Sequence, residues 1–122
     1  MIAALVLASV AATAPIPAPF HGFWAREGGR CTDGLQMEGM LTIEPRRMIH
    51  GEEFMTVTGT RRVSKYRVGV DTDNAVNDEA VDSSTTLLTL RDRGQSLVFE
   101  TTRVNRKLLR EAAPETYRRC KR

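Results

Sequence analysis

The sequence predicts an all-β fold: a small antiparallel barrel or sandwich of seven to eight strands, with one short C-terminal helix and a closing disulfide. Three observations carry this reading. Apolar and polar residues alternate at a period of two in segment after segment, and turn-forming residues return about every ten positions. The two cysteines, Cys31 and Cys120, stand near the two ends of the region so patterned. At 122 residues and 13.6 kDa the chain has room for one domain. Beyond position 12, Leu, Ile, Val and Phe make up about a fifth of the residues, so the core is small. That size excludes a large multidomain enzyme and a membrane channel.

Residues 1–12 carry no charge, and residues 2–14 (IAALVLASVAATA) form an apolar run. A membrane-crossing helix needs about 20 such residues, so the run suits the core of a signal peptide instead. Small residues are needed three positions and one position before the cut, and Val10 and Ala12 fill them, giving a signal segment of 1–12. Residues 13–19 alternate proline with other residues and read as an extended tether. The β domain is then 20–122.

Within that domain the strands follow in order. Leu41 and Ile43 alternate until Glu44-Pro45 ends the run. Met55, Val57 and Val63 are expected on one face, with Gly59 and Arg61 between them and Thr56, Thr58 and Thr60 opposite. Tyr66, Val68 and Val70 alternate with Arg67, Gly69 and Asp71. Thr86, Leu88 and Leu90 form one face of a later strand, residues 92–95 form a tight turn, and Leu97 and Phe99 resume the alternation. Val104, Leu108 and Ala112 recur every four residues, with Leu109 beside them and Pro114 after. This spacing predicts a short helix that turns Arg106, Lys107 and Arg110 to solvent.

An even cysteine count in an exported chain predicts the pair Cys31–Cys120. Closing a loop of about 90 residues is worth about 4–5 kcal/mol on the chain-entropy account. Neither cysteine has a CxxC partner, so zinc and redox roles are not expected.

Charge is unevenly spread. Residues 71–92 hold six acids and one base, whereas residues 103–122 hold eight bases and two acids. Arg103, Arg106, Lys107 and Arg110 are the candidate contacts for an anionic partner. Nucleic acid is not expected, because aromatic side chains for stacking are few. The acidic stretch is read as a solvated loop. Asp71, Asp73 and Asp82 have the spacing of calcium ligands, but Ala75 and Val76 occupy the positions of a further ligand and the turn glycine. No metal or cofactor is assigned.

Catalytic patterns are weak. The histidines are His21 and His50 alone, and neither GxSxG nor HExxH spacing occurs. Glu52 and Glu53 are adjacent, so on a strand they point to opposite faces and cannot flank one bond. The chain is expected not to be an enzyme.

Gly22, Phe23 and Trp24 form a G-x-W at the start of the domain, and Arg118 and Arg119 stand near its end. An arginine stacked on the lone indole would close a barrel end. The arrangement resembles lipocalin-like barrels, where G-x-W opens the first strand and a late arginine crosses the tryptophan. It also resembles periplasmic inhibitors of bacterial metalloproteases, small barrels whose N-terminal segment plugs the enzyme. Over residues 20–120 the chain is similar to short secreted bacterial proteins of no established role. The shared pattern is G-x-W, Cys31, residues 41–48, the hairpin 87–99 and the terminal Tyr117–Cys120. The resemblance implies a barrel and export, and no activity. The expected protein is a non-catalytic periplasmic or secreted binding protein that engages an anionic envelope component. An inhibitor of a secreted hydrolase (metalloprotease or lysozyme) is the first alternative, and a carrier of a small apolar ligand the second.

Overall fold

The computed structural model describes residues 13–31, 39–111 and 113–121. Alternation sends one side chain inward and the next outward. Here it builds nine antiparallel strands: β1 (Gly22–Arg26), β2 (Met40–Ile43), β3 (Arg47–His50), β4 (Glu53–Ser64), β5 (Arg67–Val76), β6 (Glu79–Arg91), β7 (Ser96–Val104), β8 (Lys107–Leu108) and β9 (Glu115–Arg119). Strands β1 to β7 pair in chain order, and β9 pairs with both β7 and β1. The result is a closed eight-stranded barrel, with β8 as an extra strand on the β7 edge that β9 occupies further along. Of the two all-β architectures expected, the chain forms the barrel.

The inward residues of the pattern form one core that includes Trp24, Leu41, Met48, Val70, Leu88 and Leu97. Ile16 and Phe20 belong to it too, each 1% exposed. The proline-rich stretch expected as a tether is therefore docked. The Ile16 amide donates to the Pro45 carbonyl at 2.8 Å, the Thr60 hydroxyl to the Ala14 carbonyl at 3.1 Å, and Arg46 to the Thr13 carbonyl at 2.7 Å. Proline fixes φ and prevents a regular ladder, so residues 13–17 cross the barrel end without one, held by the Ile16 amide and by the Thr60 and Arg46 side chains. Residues 1–12, read as a signal segment, lie outside the described residues.

Cys31 and Cys120 are bonded, with Cα atoms 5.7 Å apart. The disulfide fastens the chain just beyond β9 to the segment after β1, on the outside of the barrel. There Ala25, Met40 and Cys120 make a second apolar cluster with Phe23.

Three expectations are corrected. The C-terminal helix over 104–113 does not form, and the helical turns among the described residues are the single 3-10 turns Ala18–Phe20 and Asp92–Gly94. Instead Val104 pairs with Lys107 across a two-residue turn, Asn105-Arg106, with φ of 50° and 68°. Asparagine tolerates the left-handed region, and Asn105 is also tied to Ser83 through both its amide and its side chain. A helix here would have had no docking surface, since Leu108 is 69% exposed. Second, Val63 does not share a buried face with Met55. Bulges at Val57/Gly59 and Arg62/Ser64 shift the phase of β4, and Val63 emerges 60% exposed. Third, the acidic stretch is a hairpin, β5–β6, closed by Asn77-Asp78 with φ of 53° and 63°. Among the described residues no helix is long and apolar enough to cross a membrane.

Reduction is expected to lower stability by about 2–5 kcal/mol, because the unfolded chain regains the freedom of the loop that the bond closes. Thermal melts with and without reductant check this. Equal melting temperatures would show that the ring closes without the bond.

Candidate functional site

The strand-pair register brings Trp24 opposite Arg119. The guanidinium carbon lies 4.2 Å from the centre of the indole ring. Arg119 also donates to the carbonyls of Gly94 at 2.9 Å, His21 at 2.8 Å and Pro19 at 2.8 Å. The indole N–H donates to the Phe20 carbonyl at 3.2 Å. Gly22 makes the stacking possible: its φ is +132°, and a Cβ there would stand 3.0 Å from Arg119 Nη1. Of the two arginines considered for this role, Arg119 fills it. Alternation on β9 turns Arg118 outward, where it donates to the Gly29 carbonyl at 3.0 Å. His21 lies beside the same end, its Nε2 2.6 Å from the Ile16 carbonyl oxygen, and holds the N-terminal segment in place.

Inward alternation from Arg119 also brings in Tyr117 and Glu115, and these reach the opposite mouth of the barrel. Tyr117 donates to Glu115 Oε1 at 2.8 Å, and His50 Nε2 lies 2.9 Å from the same oxygen and 3.0 Å from the phenol. The His50 ring stacks on Phe99 at 4.6 Å. Arg26 reaches the second Glu115 oxygen at 3.3 Å, and Glu53 lies 3.9 Å from His50 Nδ1. Further along the interior, Asn74 donates to Asp82 at 2.7 Å and to Ser84 at 3.0 Å, while Thr72 donates to Asn74 at 2.7 Å. The barrel is thus apolar at the tryptophan end and polar at the other. A cleft of about 430 Å³ opens at the polar mouth, lined by Arg26, His50, Glu52, Glu115 and Tyr117 among others.

Sequence reasoning missed this cluster, because His50 and Glu115 are 65 positions apart. One signal was available. Once Arg119 is placed inward, Tyr117 and Glu115 must follow it.

The two inward glutamates titrate in opposite directions. Burial opposes ionisation of Glu115, but hydrogen bonds from Tyr117 and His50 and the charges of His50 and Arg26 outweigh it, and its pKa falls below the ordinary value. Burial, then the charge of Asp82, raises that of Glu53. Burial and the bond to Glu115 push the Tyr117 phenol upward.

The bases expected to meet an anionic partner lie on the β7–β8 hairpin. Arg103, Arg106, Lys107 and Arg110 are all exposed, as are Leu108 and Leu109. None of the four bases forms an ion pair among the described residues. Arg103 and Arg106 share an outer cleft of about 720 Å³ with Arg61, Asp71 and Asp73. Asp71 is already engaged there by Arg61 at 3.1 Å and by the Thr85 hydroxyl at 2.7 Å. The acidic and basic stretches therefore face each other in part. The residues with calcium-like spacing diverge, since Asp71 and Asp73 flank this outer cleft whereas Asp82 is opposite Asn74 on the inner face.

No protein-family description, curated protein or solved structure matches this chain.

A glutamate whose folded pKa is lowered adds stability above about pH 4.3, lost as pH falls through the folded value. One whose pKa is raised adds stability below about pH 4.3, lost as pH rises through the folded value. Glu115→Gln is therefore expected to cost about 1–3 kcal/mol at pH 7, a deficit that narrows toward pH 3. Glu53→Gln is expected to raise stability at pH 7 and to match the parent near pH 3. Denaturant melts from pH 3 to pH 7 check both signs, and a shared sign would contradict the assignment.

Proposed function

We propose that this is a non-catalytic, exported binding protein of the periplasm or cell envelope that engages anionic surfaces through its β7–β8 hairpin. One observation carries the reading: four bases without an ion pair among the described residues stand beside two exposed leucines on one hairpin. Basic and apolar side chains exposed together fit the boundary of an anionic bilayer, where bases meet phosphate and leucine meets acyl chain. A base near such a surface is worth about 1 kcal/mol, so four give about 4 kcal/mol, a Kd near 1 mM. Asp71 and Asp73 share the cleft with Arg103 and Arg106 and offset part of that attraction. The binding is weak by construction, and multiple copies or a second contact would strengthen it.

Export is supported by the apolar run at residues 2–14 and by the disulfide, a bond that persists in oxidising compartments. The likeness to short secreted bacterial barrels points the same way. The polar mouth reads as a strut: His50, Glu115, Tyr117 and Arg26 satisfy one another across β1, β3 and β9, which favours a structural role over a catalytic one. The alternatives draw less support. An inhibitor that inserts residues 13–19 would have to pull Ile16 out of the core. A carrier of an apolar ligand needs an apolar interior space, whereas Trp24, Ile16 and Phe20 fill the apolar end and both clefts described above are lined mainly by polar residues.

Co-sedimentation with phosphatidylglycerol-containing vesicles tests the reading. Binding is expected at low salt and should weaken several-fold between about 50 and 200 mM salt, as the screening length shortens toward 8 Å. Reversing Arg106, Lys107 and Arg110 to Glu should lower it at least several-fold while the melting temperature holds. Equal binding by parent and variant would contradict the role of this hairpin.

A further inference from the structure

The β4–β5 hairpin carries a second surface of the same chemistry. Residues 61–67 (RRVSKYR) hold four bases and no acid. All seven are exposed, Val63 at 60% and Tyr66 at 56%. The bulge at Arg62/Ser64 turns Val63 outward, away from the core its alternation would have joined. The Lys65 amine sits 5.7 Å above the Tyr66 ring. Arg61 is engaged by Asp71, and Arg67 donates to the Thr89 hydroxyl, whereas Arg62 and Lys65 form no ion pair among the described residues. Arg91 and Arg93 are exposed nearby, since the Leu90 amide donates to the Tyr66 carbonyl.

This tip and the β7–β8 tip point in opposite directions. β5 and β7 both run antiparallel to β6, so the turn before β5 and the turn after β7 face opposite ways along it, the second lying five residues short of the Glu79 end of β6. On β6 the two turns are level with Thr89 and Ser84, and the span from one to the other is about 17 Å. Exposed valine and tyrosine among arginines and lysine favour a bilayer boundary over a purely ionic partner, because a phosphate group alone has no use for the apolar side chains.

We propose that the barrel is bivalent and cross-bridges two anionic bilayers, one at the β4–β5 tip and one at the β7–β8 tip. The inference rests on the reading of the β7–β8 hairpin as an anionic-surface contact and adds a second contact with a new consequence, the joining of membranes.

Vesicle clustering tests it. The full mature protein is mixed with vesicles of phosphatidylglycerol and phosphatidylcholine (1:1) at low salt, and turbidity and co-sedimentation are read together. The parent should bind and raise turbidity several-fold, reversibly on adding salt. Arg62→Glu with Lys65→Glu, and separately Arg106→Glu with Lys107→Glu and Arg110→Glu, should each keep part of the binding and lose the clustering. Val63→Ser with Tyr66→Ser should reduce clustering while preserving net charge. Unchanged Trp24 emission in each variant shows that the barrel is intact. Binding by the parent without clustering overturns the bridge and leaves the proposed function standing, whereas no binding at all removes both. Clustering that survives loss of either tip shows association through protein dimers and overturns the bridge. Clustering by free polyphosphate to the same degree would assign the tips to phosphate rather than to a bilayer.

Discussion

A barrel whose strands pair largely in chain order has one seam between strands far apart in the sequence, the seam between its first and last strands. Here that seam is short: β1 and β9 share the register pairs Trp24–Arg119, Ala25–Arg118 and Arg26–Tyr117. Arg119 secures it from inside. Its guanidinium covers the indole and ties three carbonyls, from the turn before β7, from the approach to β1 and from the N-terminal segment. Burial lowers the pKa of this arginine, and three hydrogen bonds together with the ring face replace the water it gives up. The disulfide secures the same seam from outside.

The rest of the interior follows from that placement. With Arg119 inward, Tyr117 and Glu115 are inward, and the far mouth must supply partners for a buried phenol and carboxylate. His50 and Arg26 do so. The N-terminal segment responds to the same constraint at the near end, where Ile16 and Phe20 cover the apolar floor that Trp24 and Arg119 leave open. One end of the barrel is thus closed by dispersion and stacking, the other by charge-assisted hydrogen bonds. The hairpins that project past this frame are free of packing demands, and both basic tips are found there.

Much of the frame was legible in the sequence. The alternation of Val68 with Val70 and of Leu88 with Leu90 gave strands with these residues inward, whereas Tyr66, which its spacing puts on the same face, lies in the turn before β5 and is 56% exposed. G-x-W with a late arginine gave the seam, and two cysteines gave the disulfide. Three features were hidden, each for a physical reason. The spacing of Val104, Leu108 and Ala112 imitates a helix over only three positions, and the turn that interrupts it uses Asn105-Arg106 without a glycine to mark it. Bulges change the phase of β4 inside an unbroken run of strand-forming residues, so the exposure of Val63 depends on pairing with β5. The polar mouth joins residues from distant strands, which alternation within one strand cannot pair.

The most direct test of this account is the emission of Trp24, the one tryptophan of the chain, in Arg119→Ala and Arg118→Ala. Arg119→Ala should shift the emission and cost about 0.5–2 kcal/mol or more, as the ring loses its cation and three carbonyls lose a donor. Arg118→Ala, whose side chain points outward, should leave the emission where it is. A shift caused by Arg118→Ala, or by neither substitution, would contradict a seam held by Arg119 across the indole.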